Sequence, residues 1–244
     1  LIDEYDKPIL DNITDSPMAL IMREGLKNLY SAIKQADADI RFVFMTGVSK
    51  FSKVTLFSGL NNLNDITLNP KYSALCGYTD ADIDTVFAPE LAGLDRDQIR
   101  HWYNGYSWRG QPVYNPYDLL LLLGNREFRP WWFESGTPTF LIKLLAERQT
   151  WLPLLEQAES DSELLGSFDI DKIPATTLMF QAGYLTIERE ESISGSVYFY
   201  LRLPNHEVRQ SLFGSLLREW TADTGLEVSN KRHLYQHLAA ARVD

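Results

Sequence analysis

The chain has 244 residues, 45% of them apolar and 23% charged, enough to bury a real core and to exclude disorder, collagen and coiled coil. Its 33 acids against 23 bases leave a net charge of −10, the wrong sign for neutralising nucleic-acid phosphates or docking on an anionic membrane. Cys76 is alone, so no disulfide framework exists and a reducing cytoplasm is the expected compartment; apolar runs such as 18–22 and 119–123 fall far short of the ~20 residues of a membrane span. No signal peptide is visible. The first residue, Leu1, reads as the inside of a strand, so the chain is expected to be a piece of a longer protein.

In chain order, Leu1-Ile2-Asp3-Glu4 reads as the end of a buried strand that delivers two acids into a loop. Ser16 is the expected N-cap, with Pro17 at the first position, of a helix to about Gln35; Met18, Ile21, Met22, Leu26, Leu29, Tyr30 and Ile33 recur at helical spacing. Residues 41–46 read as a second buried strand closed by Gly47, and strand–helix–strand is most simply a right-handed parallel crossover. From about residue 70 the pattern changes to short helices and aromatic loops: helices over 80–86, 95–102, 117–123 and 139–148, turns at Asn104-Gly105 and Asn115-Pro116, and a solvated acidic loop at 159–163. The last third reads as helix 174–182, strand 183–187, polar turn 188–195, strand 197–201, and a helix capped by Asn205. In that helix Val208, Leu212, Phe213, Leu216 and Trp220 share one face, and Glu207 suits the dipole of the first turn. Helix, hairpin, helix is the order found near a winged helix.

Two places carry chemistry. Acids at a strand end, as Asp3 and Glu4 are expected to be, suit a nucleotide triphosphatase, where one carboxylate holds the Mg²⁺ hydration shell and the next activates the attacking water. Thr46, at the end of the second strand, is placed to sense a γ-phosphate, because ligands of open α/β sheets bind at the carboxyl ends of strands. The segment that follows, Gly47-Val48-Ser49-Lys50-Phe51-Ser52-Lys53, suits a phosphate-facing loop, and residues 41–60 hold Arg41, Lys50 and Lys53 and no acid. The plain alternatives are a solvated acidic cap and a basic surface loop.

These residues form an ordered series. Leu1-Ile2-Asp3-Glu4-Tyr5-Asp6-Lys7-Pro8-Ile9, then Phe44-Met45-Thr46-Gly47-Val48-Ser49-Lys50-Phe51-Ser52-Lys53, then Phe57-Ser58-Gly59-Leu60-Asn61-Asn62-Leu63-Asn64-Asp65-Ile66 resemble the predicted AAA-ATPase-like family of bacteria. The resemblance continues through Trp102-Tyr103-Asn104-Gly105-Tyr106, Val113-Tyr114-Asn115-Pro116-Tyr117, Phe180-Gln181-Ala182-Gly183-Tyr184-Leu185 and Pro204-Asn205-His206-Glu207-Val208-Arg209. In that family an ATPase domain is commonly followed by a nuclease-like PD-(D/E)xK domain. The resemblance implies Walker B roles for Asp3 (Mg²⁺ through water) and Glu4 (catalytic), a sensor role for Thr46, and nucleotide contacts near Lys50 and Lys53, with ATP and Mg²⁺ as cofactors. No G-x-x-x-x-G-K-[ST] occurs in these residues, so a Walker A loop is expected upstream and the effector domain downstream.

His233 and His237 have zinc-ligand spacing but lack the glutamate of H-E-x-x-H and a third ligand, so they read as a solvated helix face. Ser49 has no G-x-S-x-G setting. The dense aromatics at 102–106 and 114–117 read as glue between the ATPase core and the helical region. Residues 171–220 hold six acids and five bases, a poor balance for a groove reader.

The expected fold is therefore α/β: an incomplete P-loop-type parallel core over 1–69, a helical region over 70–165, a winged-helix-like domain over 166–224, and a linker or next domain over 225–244. The expected function is ATP hydrolysis in the parent protein as a switch for an attached effector, with this chain inactive by itself. The expected partners are the nucleotide and the two missing segments, with neither DNA nor membrane, and with homo-oligomerisation left open. The rivals are an interaction module with a decayed nucleotide site and a winged-helix DNA regulator.

Overall fold

A computed structural model describes residues 1–12, 15–49, 63–135, 141, 142, 145, 158–161 and 174–221. The fold is a mixed α/β one, with helices and small antiparallel sheets. Ile2 and Met45 form a parallel bridge, flanked by α1 (Lys7–Leu10) and α2 (Ser16–Gln35). Asp15, not Ser16, caps α2, accepting from the Met18 amide at 3.2 Å; its charge also suits the positive helix end better than a hydroxyl does. The segment expected as a buried strand is buried only in part. Phe42 is 72% exposed and residues 43–46 are half-buried, because among the described residues only the Ile2 side supplies a partner.

The middle of the chain holds α3 (Asp80–Thr85), α4 (Arg96–Tyr103), the short antiparallel pair β1 (Asn104–Tyr106) and β2 (Val113–Tyr114), α5 (Pro116–Asn125) and α6 (Trp131–Ser135). Caps set the helix starts: Thr79 and Asp82 make a reciprocal capping box on α3, Asp95 caps α4, and Asn115 caps α5. Arg96 bonds Asp84 at 2.7 Å, Asp80 at 2.8 Å and the Tyr114 hydroxyl at 2.6 Å, tying α3, α4 and β2 together. Asn104-Gly105 is not the expected turn. It is strand, and Gly105 takes φ +129 because the chain passes against Pro204, whose carbonyl oxygen a Cβ would overlap. Gly105→Ala is expected to cost about 1–3 kcal/mol from backbone strain alone, before the clash is relieved. An unfolding free energy within experimental error of the parent would show that this approach is not needed.

The last part holds β3 (Ala158–Asp161), α7 (Ala175–Gln181), β4 (Thr186–Ile193), β5 (Ser196–Arg202) and α8 (His206–Thr221), with an antiparallel sheet of order β3-β5-β4. Two expectations change here. The acidic stretch at 159–161 is a strand, with Ser160 buried and Glu159 exposed, so its alternation is hidden by small and polar residues. The expected polar turn at 188–195 is mostly strand: β4 runs to Ile193, and only Ser194 and Gly195 turn, both at positive φ as a two-residue hairpin requires. Polar β4 survives outside the core through cross-strand contacts, with Arg189 over the Tyr200 ring at 3.2 Å and Tyr200 donating to Glu191 at 2.9 Å.

Two apolar clusters form the core. One joins Tyr5, Ile9, Ala19 and Tyr30 to Tyr106, Val113, the inner faces of α7, β4 and β5, and Val208, Leu212 and Leu216 of α8. The other packs Ile83, Ile99, Tyr103, Tyr114, Leu119 and Leu122. The aromatic motifs contribute to both, Tyr106 to the first and Tyr103 and Tyr114 to the second, while Tyr117 is exposed. Helix 139–148 lies outside the described residues apart from buried Leu141, Ile142 and Leu145, as do the Trp220 side chain, His233 and His237. Among the described residues no helix is long and apolar enough to cross a membrane.

Candidate functional site

The first residues and residues 44–46 run side by side. The Ile2 amide donates to the Phe44 carbonyl, the Thr46 amide to the Ile2 carbonyl and the Tyr5 amide to the Thr46 carbonyl, each at 2.9 Å. Parallel pairing sends both segments out of the ladder at the same end. Asp3 and Thr46 therefore emerge together, and the Thr46 hydroxyl donates to Asp3 Oδ1 across 43 residues of sequence. The Glu4 amide donates to the same oxygen at 3.1 Å, while Oδ2 takes neither bond. Glu4 follows at φ +47, an uncommon backbone state for a residue with a Cβ, and its side chain is exposed. Such strain persists only where the surroundings hold it, here the Tyr5–Thr46 bond on one side and the Lys7 amide, donating to the Glu4 carbonyl at 3.0 Å, on the other.

Asp6 is the residue that sequence reasoning missed. It is fully buried and accepts from the Val48 amide at 3.1 Å and from both the amide and the hydroxyl of Ser49 at 2.5 Å. The Tyr5 hydroxyl donates to the Ser49 carbonyl at 2.8 Å, and the Tyr30 hydroxyl of α2 donates to the Tyr5 carbonyl at 2.9 Å. Gly47 lets the two segments close, since a Cβ there would sit 2.5 Å from the Tyr5 ring and 2.7 Å from Asp6 Oδ1. Loop 47–49 is thus pinned beside Asp3, Glu4 and Thr46. The available hint was the third acid of Asp3-Glu4-Tyr5-Asp6, which is charged yet followed directly by helix. Ser49 spends its hydroxyl on Asp6, in keeping with a structural serine. Lys50 and Lys53 lie outside the described residues.

Asp3, Glu4 and Thr46 are brought together, and an exposed carboxylate with a free oxygen suits holding a hydrated divalent cation through water. The family described as Predicted AAA-ATPase matches residues 1–57, the stretch that holds all of these residues. A protein of Azotobacter chroococcum mcd 1, described as an uncharacterized protein in vnfD 5'region, is 56% identical over 240 residues. The alignment covers 98% of this chain and 46% of that relative, so the chain spans about half of its length. No solved structure matches.

Proposed function

We propose that this chain is part of an ATP-binding and ATP-hydrolysing AAA-ATPase-like module, used as a nucleotide switch for an attached, nuclease-like effector. The observation that carries the reading is the meeting of Asp3 and Thr46 at one end of two parallel segments, with Glu4 exposed beside them, inside the stretch matched by the Predicted AAA-ATPase family. Bound Mg–ATP supplies the transferable phosphoryl group and the charge that steadies it. The chain's own residues then divide the work. Asp3 would hold the hydrated cation, Glu4 would orient the attacking water and take its proton, and Lys50 and Lys53 would supply positive charge for the phosphates. Thr46 has one hydroxyl proton, which goes either to Asp3 or to a phosphate oxygen. Thr46 would thus exchange its bond to Asp3 for one to a phosphate oxygen, a local event suited to a switch.

The strand order β3-β5-β4 and the hairpin between α7 and α8 support a winged-helix-like unit downstream. Its near-neutral charge favours a lid or a transmitting role over groove reading. Duplex DNA is expected not to bind this chain measurably at physiological salt; sub-micromolar, salt-sensitive affinity in an anisotropy titration would favour the DNA-regulator reading.

The test of the ATPase reading is Mg²⁺-dependent phosphate release by the full-length protein. Asp3→Ala is expected to abolish the Mg²⁺ dependence. The 244 residues alone are expected to be inactive, because they contain no Walker A sequence to place the β- and γ-phosphates. Full-length protein that neither binds nor hydrolyses ATP would favour an interaction module instead.

A further inference from the structure

We infer that Asp118 of α5 and Glu207 of α8 form a proton-binding site, in which two buried carboxyls share one proton and thereby hold α8 against α6. Both residues are fully buried. Asp118 Oδ1 and Glu207 Oε1 accept from the same Trp132 amide, at 2.7 and 3.0 Å, and Glu207 Oε1 also faces the Phe133 amide at 3.3 Å. Two oxygens on one amide hydrogen lie close together, and two neutral amides cannot stabilise two buried anions at that separation. Asp118 Oδ2 and Glu207 Oε2 find no hydrogen-bond partner. A proton on one carboxyl converts an acceptor into a donor and removes the repulsion.

Among the described residues nothing around the pair supplies a positive charge. Neither acid forms an ion pair among the described residues. The titratable groups that feel the pair are phenols: Tyr103 from α4, Tyr106 from β1 and Tyr184 after α7. Asn115 before α5 and Asn205 before α8 are neutral amides beside the Tyr106 hydroxyl. On α8 itself, His206 stacks on His101 and meets Trp102 edge-on, burial lowering its pKa, and Arg209 is exposed. On the α6 side, Arg129 is spent on Glu134 at 3.0 Å. Burial, then the neighbouring Asp118, pushes the Glu207 carboxyl well above the usual carboxylate range, and burial raises Asp118 as well.

The site sits where three of the chain's motif segments meet: Asn104-Gly105-Tyr106, Asn115-Pro116-Tyr117 with Asp118 behind it, and Pro204-Asn205-His206-Glu207. It therefore joins α5 and α6 to α8, and its proton sets how firmly. The sign follows from linkage. The unfolded carboxyls release their protons near pH ~4, whereas burial and the neighbouring carboxyl make the native pair keep its last one to well above that. Stability from this proton is fully present below the unfolded value and is lost as pH rises through the native one, by up to about tenfold in the folded-to-unfolded ratio per pH unit.

Urea unfolding of this chain between pH 5 and 9 tests the site, using wild type, Glu207→Gln and Asp118→Asn. An amide at either position donates to the remaining carboxylate without a titrating proton, so both variants are expected to flatten the wild-type decline. Parallel profiles in wild type and the variants would overturn the proposal. Should neither variant fold, the infrared carboxylic-acid C=O band of folded wild type at pH 7.5 decides, since exposed acids are ionised there. Its presence supports the shared proton, and its absence overturns it.

Discussion

Glu4→Gln in the full-length protein is expected to slow phosphate release by about 10²–10⁴-fold, the usual worth of a positioned general base, while nucleotide binding stays largely intact. Glu4 is exposed beside Asp3, and its φ of +47 turns the chain immediately after the parallel pairing. Glutamine keeps the shape and the ability to hydrogen-bond water but cannot take its proton. Because Asp3 keeps its bonds from Thr46 and from the residue 4 amide, cation holding should survive. Stopped turnover with retained binding of a fluorescent ATP analogue is therefore the expected pattern. Equal turnover in parent and variant would remove Glu4 from the mechanism.

Asp6→Ala should have the largest effect on folding. Loss of the side chain leaves three donors without their partner, the part-buried Val48 amide and the buried amide and hydroxyl of Ser49. At roughly 1–3 kcal/mol for each buried group left unpaired, a total loss of about 3 kcal/mol or more is expected. Ser49→Ala removes one donor and keeps the two amide bonds, so a loss near 1 kcal/mol is expected from it. Urea unfolding of the chain measures both. The order matters as much as the size: Asp6→Ala no worse than Ser49→Ala would mean that the loop is held by Gly47 and the Tyr5 ring rather than by the carboxylate. In the full-length protein, Asp6→Ala should also lower turnover, because loop 47–49 leads directly into Lys50 and Lys53.

Much of this was legible in the sequence wherever the physics is local. Helix α2 follows from apolar spacing and Pro17 near its start, although its cap proved to be Asp15 rather than Ser16, and α8 follows from Asn205, whose side chain accepts from the Val208 amide at 3.0 Å. The pairing of Asp3 with Thr46 followed from strand–helix–strand order, since a parallel crossover sends both ends the same way. Strand β3 and the outer half of β4 were not legible, because polar residues with no apolar alternation become strands only when β5 offers its edge.

The same division holds for charge. Sequence alone determined that Asp3, Glu4, Asp6, Asp118 and Glu207 are acids, and local rules put Asp3 and Glu4 at a strand end and Glu207 in a helix's first turn while saying nothing of Asp6 or Asp118. Only the tertiary structure decided which of them stay in water. Asp3 and Glu4 do, just past the parallel bridge between Ile2 and Met45. Asp6 is buried on the donors of a loop more than 40 residues away, and Asp118 and Glu207 are buried on each other. The reason is that the free energy of a carboxylate depends on the donors and water around it, and those arrive from segments that no local pattern connects.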